Sequence, residues 1–171
     1  MTKKQKDYID LLKESPFYNP EEKLLMLTAL ASAESKSSGT EEQQLKAGEQ
    51  LLEHVTQKKS SIGICIQALL GFLSRTPHSF RQKRQKRAIA LFLLSLVYDS
   101  PELSAGNRLL ALEVIDENKS HLFKTLPQKA IQVAESIVKD QKTPLVYQRK
   151  AQIFLSNNQI KKKNTRSLLH L

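Results

Sequence analysis

Apolar residues recur at three- and four-residue spacing along almost the whole chain, and the breaks between these runs carry helix start and stop chemistry. The pattern predicts an all-α protein, a bundle of about seven to eight helices. The first helix, over Lys3 to Glu14, carries Tyr8, Ile9, Leu11 and Leu12 and ends ahead of Pro16. Asn19 then reads as an N-cap, with Pro20 at the first helical position and Glu21 and Glu22 at the positive end of the helix dipole. Leu24, Leu27, Leu30 and Ala31 form the buried stripe of that second helix. Ser35 to Gly39 is a loop, and Thr40 with Gln43 makes a capping box for a third helix. That helix buries Leu45, Gly48, Leu52 and Val55 and sets Glu42 one turn before Lys46.

From Ser60 the pattern changes. Ile62 to Leu73 and Ala88 to Tyr98 are apolar on nearly every face, which predicts a central helical hairpin joined through a polar turn at Ser74 to Ser79, its second arm starting near Phe80. Ile62, Ile64 and Ile66 also suit a short strand, but no second strand pattern exists to pair with it. Ser100 and Pro101 open the next helix, which Gly106 and Asn107 divide and which ends near Asn118. Pro127 opens another, with Ala130, Val133, Ala134, Ile137 and Val138 in phase and Glu135 paired with Lys139. Thr143 and Pro144 cap the last helix, whose inward residues are Tyr147, Ala151, Phe154 and Leu155. It is expected to stop at Ser156 to Asn158. The predicted organisation is one domain over residues 1–158 and a flexible basic tail over 159–171. The starts Tyr18-Asn-Pro-Glu21 and Tyr98-Asp-Ser-Pro-Glu102 are alike, but with no repeat signature between them they reflect shared capping chemistry.

Composition agrees with a packed domain: 171 residues, 40% apolar and 26% charged. The single cysteine, Cys65, excludes an internal disulfide and every zinc arrangement that needs two thiolates. The basic start lacks the apolar stretch of a secretory signal, and the apolar runs fall short of the roughly 20 residues of a membrane-spanning helix. The expected location is cytoplasmic.

Charge alters the picture most. The net of +10 is unevenly spread: residues 1–57 carry a net −3 and residues 99–143 a net −1, while 58–98 carry +8 and 144–171 carry +6 with no acid in either. The densest run, Arg81 to Arg87, holds five cations in seven residues, and four of the seven arginines (Arg75, Arg81, Arg84 and Arg87) lie in this turn and helix start. Cations there oppose the helix dipole by about 0.3–1 kcal/mol each. A partner-binding role accounts for that choice, because the guanidinium fork suits phosphate or carboxylate and a helix N-terminus offers free N–H groups. The candidate anion- or partner-binding set is Arg75, Arg81, Lys83, Arg84, Lys86 and Arg87, extended by Arg149 and Lys150 on the outer face of the last helix. The competing account is a solvated head for an apolar helix, or pairing with Glu42, Glu49 and Glu53.

Signatures of catalysis carry little weight. Cys65 lies in an apolar run with no neighbouring histidine and reads as a buried small hydrophobe. His54, His78, His121 and His170 lack paired-ligand spacing, and His54 fits the negative end of its helix. Ser136 and Lys139 match a Ser-x-x-Lys pattern that chance alone supplies at this Ser and Lys content. Asp116-Glu117 is a solvated pair at a helix end. There is no phosphate-binding glycine loop, so neither a catalytic residue, a cofactor nor a metal is expected.

The expected function is therefore a non-enzymatic module that binds another protein. The alternative is nucleic-acid binding through Arg81 to Arg87, supported by an isoelectric point near 9.7 and weakened by the lack of interleaved aromatic residues beyond Phe80. A further alternative is docking to an anionic membrane surface by the same basic head. The content of Lys, Gln, Ser and Leu is also similar to that of secreted helical effectors of intracellular bacteria, which implies a translocated effector. The glutamate-rich stretch ahead of the C-terminus in type IV substrates is missing here.

Overall fold

The computed structural model describes residues 8–31, 41–57, 60–75 and 80–167, and the side chains of 9–31, 41–57, 60–75 and 82–158. The described residues form eight helices and no strand: α1 (Tyr8–Glu14), α2 (Pro20–Ala31), α3 (Glu41–Thr56), α4 (Ile62–Arg75), α5 (Phe80–Tyr98), α6 (Ala105–Leu122), α7 (Gln128–Lys139) and α8 (Leu145–Ser167). The protein is all-α. The helices cluster into two units, Met1–Ala90 and Leu91–Leu171, with the boundary inside α5.

In the first unit α2 packs against α1, α3 and α4, and α1 also meets α3. The start of α2 follows from four residues. Asn19 Oδ1 accepts from the Glu22 backbone N–H at 2.9 Å while the Glu22 carboxylate accepts from the Asn19 N–H at 2.8 Å, so two donors without helical partners are satisfied at once. Leu24, Leu27, Thr28 and Ala31 form its buried stripe, the Thr28 hydroxyl donating to Leu24 O at 2.9 Å. The stripe of α3 is Ala47, Gly48, Leu51 and Val55, leaving Leu45 and Leu52 half-buried at its edges. Thr40, the expected cap of this helix, lies outside the described residues. Lys46 bonds Asp10 of α1 at 2.8 Å, and Lys13 bonds Glu53 at 3.1 Å. In α4 the buried residues Cys65, Ile66, Ala68, Leu69, Leu70, Phe72 and Leu73 cover more than half of the circumference, and its exposed positions are Gln67, Ser74 and Arg75. The near-continuous apolar sequence thus matches a helix enclosed on most sides, and the β-branched isoleucines form no strand.

In the second unit α6, α7 and α8 pack on one another. The cap of α6 is Ser104, whose hydroxyl accepts from the Asn107 N–H at 3.3 Å. Ser100 and Pro101 instead make a turn closed by Leu103 N–H to Ser100 O at 3.2 Å, and Gly106 and Asn107 lie in the first turn of α6 without dividing it. Nor does Asn118 end that helix, because its amide donates to Val114 O one turn back at 2.8 Å. The stripe of α7 is Ala130, Val133, Ala134 and Ile137, and Lys139 stands 4.0 Å from Glu135. Between α7 and α8, Asp140 accepts from the Lys142 N–H and the Thr143 hydroxyl, two bonds to the charged form that hold its carboxyl below the ordinary range. Asn158 does not stop α8: its amide donates to Phe154 O at 2.8 Å and to Asp116 of α6 at 3.1 Å, and the helix runs on to Ser167. Lys119 also joins Asp116 and Asn158, so Asp116 ties two helices together rather than standing free in solvent.

Candidate functional site

The basic start of α5 is sorted by helical phase. Ile89, Ala90, Leu93, Leu94 and Val97 are buried, and the same side of the helix, continued back by one and two turns, carries Lys86 and Gln82. Lys83, Arg84 and Arg87 face solvent, as does Arg75 at the end of α4. The side chain of Arg81 lies outside the described residues. Lys86 is only 1% exposed, and burial pushes its ammonium down to about 8. The run of five cations therefore includes one that is turned into the protein.

Beside it lies a polar seam between α3 and α5. Gln82 donates to Gln44 Oε1 at 3.0 Å, and Gln85 donates to the Leu45 carbonyl at 2.7 Å. Gly48 makes the second contact sterically feasible, since a Cβ there would stand 2.3 Å from Gln85 Oε1. That oxygen is buried and has no hydrogen-bond partner among the described residues. Gly48→Ala gains about 1 kcal/mol of helix propensity but expels the Gln85 amide and its bond, at a cost of about 1–3 kcal/mol. The expected net result is a modest loss of stability that Gln85→Ala in the same chain reverses, read by urea denaturation of the single and double variants.

Arg149 and Lys150 belong to the second unit: Arg149 lies on the side of α8 opposite the buried Ala151 and Phe154, whereas Lys150, one turn before Phe154, flanks the side that meets α6. Lys150 is 3.5 Å from Glu113 of α6 and so is partly neutralised. Arg149 is exposed and makes no ion pair among the described residues. The same side of α8 leaves Leu145, Val146 and Ile153 exposed at 68%, 58% and 60%. Sequence reasoning marked the two cations and passed over the three aliphatic residues beside Arg149.

A cavity of about 310 Å³ opens among α1, the turn after it, α2 and α3, lined by Leu12, Tyr18, Lys23, Leu27, Gln50 and His54 among others. Its charged groups are engaged with one another: Lys13 and Gln57 bond Glu53, and Lys23 donates to the Lys13 carbonyl at 3.0 Å. Cys65 is buried, with Sγ 3.8 Å from Ser60 O, and desolvation pushes its thiol up, away from the reactive thiolate. The Ser136 hydroxyl donates back to Val133 O at 2.7 Å and accepts from Arg108 at 3.3 Å, while Lys139 points into solvent beside Glu135. Among the described residues no group of three or more His, Cys, Asp or Glu side chains is placed to hold a metal, and no helix is long and apolar enough to cross a membrane. His78 and His170 lie outside the described residues. Comparison with protein-family models, curated proteins and solved structures finds no match to this chain.

Proposed function

We propose that this protein is a non-enzymatic helical module that binds another protein. The reading is carried by the aliphatic side chains of Leu145, Val146 and Ile153, left largely exposed on one side of a helix whose other side is packed. Apolar side chains gathered on one surface and rimmed by polar groups favour association, and protein partners reward them more than phosphate backbones do. Phe17, 89% exposed in the turn between α1 and α2, is a second apolar surface residue of the kind that anchors interfaces. The internal engagement of the Ser136 hydroxyl and the desolvated Cys65 thiol also support a role outside catalysis.

The test is photo-cross-linking in the cells that make the protein, with the reactive residue placed in the full chain at Phe17, at Leu25, which is 55% exposed on α2, or at Ile153. A discrete protein adduct at any of the three supports the reading. Adducts confined to nucleic acid or lipid, or none at any position, overturn it. Nucleic-acid binding is the second reading, favoured by the common exposure of Lys83, Arg84 and Arg87 on neighbouring positions of α5. It requires salt-dependent binding of duplex or single-stranded probes that Lys83→Glu with Arg84→Glu weakens at least tenfold.

A further inference from the structure

We infer that the head of α5, its first two turns, is a latch that releases from α3 and re-forms while the rest of the first unit stays folded. The inference holds whichever kind of partner the protein binds. A helix held by apolar side chains gains from the area it buries, whereas this head is fastened by groups that water serves as well or better. Gln82 bonds Gln44 and Gln85 bonds the Leu45 carbonyl, and the net value of such bonds is modest once exchange with water is counted. Gln85 Oε1 is buried against Gly48 with no hydrogen-bond partner among the described residues, a cost that release into water removes. Lys86 is almost wholly covered, and burial disfavours its charged form. The first turn of α5 holds no acid and ends on Lys83, so its own charge works against the helix dipole.

The inward positions turn apolar at Ile89 and Ala90, both fully buried, and the release ends there. In the closed state the cations of the run are divided between solvent and interior. Release carries Lys86 out to join Lys83, Arg84 and Arg87, and it lays open Leu45 and Gly48 of α3. One equilibrium thus sets both the positive charge shown at the start of α5 and the access to this edge of α3. A ligand that prefers the released form shifts that equilibrium by its difference in affinity for the two states.

The test is hydrogen exchange read by mass spectrometry on the full-length protein at pH 7, with urea added below the unfolding transition. Amides of residues 86–90 are expected to exchange at least about tenfold faster than those of Leu69 to Leu73 in α4, and to respond weakly to urea, as a small opening does. Lys86→Met, which removes the buried charge, is expected to slow exchange in the head about fivefold. Gly48→Ala, which pushes the Gln85 amide out of the contact from the α3 side, is expected to speed it about fivefold. Circular dichroism of both variants shows that they fold. Head rates that rise with urea as steeply as those of α4 overturn the inference, since the head then opens only with the whole fold. So do rates that Gly48→Ala leaves unchanged, because fraying confined to α5 does not respond to a methyl group on α3. Exchange in Lys86→Met as fast as in the parent, or faster, also overturns it, because the buried ammonium then does not drive the release.

Discussion

Lys86→Met is expected to abolish a gain in stability that the parent protein shows as pH rises from about 8 to about 10.4. In the unfolded chain a lysine keeps its proton up to about 10.4, whereas in the fold Lys86 releases it at about 8 because burial disfavours the charge. Below 8 both states are protonated and the fold bears the whole desolvation cost. Between roughly 8 and 10.4 the unfolded state holds more protons than the folded one, so stability rises with pH across that window and levels off above it. Methionine has nearly the same length and no charge, so the variant lacks that rise. Urea denaturation of both proteins at pH 7 and pH 10 isolates the effect, since every other titrating group is common to the two. A variant less stable than the parent at pH 7 would show that the contacts of the ammonium outweigh its desolvation.

The second large effect belongs to α4. Phe72 is fully buried in a helix enclosed over most of its circumference, so its neighbours have little freedom to close over a void. Phe72→Ala is expected to cost about 3–5 kcal/mol, the transfer loss of the ring plus the cavity left behind. Phe72→Leu, which keeps most of the volume, costs about 1 kcal/mol. Chemical denaturation followed by circular dichroism measures both. A loss under about 1 kcal/mol for the alanine variant would mean that α4 is far less confined than its burial indicates.

Much of this fold was legible because capping is local chemistry. Asn19, Pro20 and Glu22 lie within four positions, and the structure uses each as its residue type dictates. The stripe of α7 was likewise legible, since its four buried residues are small or β-branched and strictly in phase. The start of α6 misled because two caps compete. Ser100 before Pro101 and Ser104 before Asn107 are both plausible caps, and choosing between them needs tertiary contacts that one dimension does not contain. The asparagines Asn118 and Asn158 look like stops but bond a carbonyl one turn back and stay helical.

The candidate site was legible in composition and not in orientation. Five cations in seven residues look alike along a line. Extending the phase of Ile89, Leu93 and Val97 backwards points at Lys86 and Gln82, a signal that was present and that the density of charge obscured. On α8 the inward residues Tyr147, Ala151 and Phe154 were recognised, and their complement, the exposed Leu145, Val146 and Ile153, was the informative half. The cavity beside Tyr18 had no sequence signal, because its walls join residues such as Lys13 and Glu53 that are 40 positions apart.

Cys65, the sole thiol, sits in the first turn of α4 and stays protonated and covered in the native state. A thiol reagent can reach it only when that helix opens, so its labelling rate reports the opening equilibrium of one segment directly. The protein thereby carries an intrinsic kinetic clock, and binding of a partner that clamps the first unit slows it without any added probe.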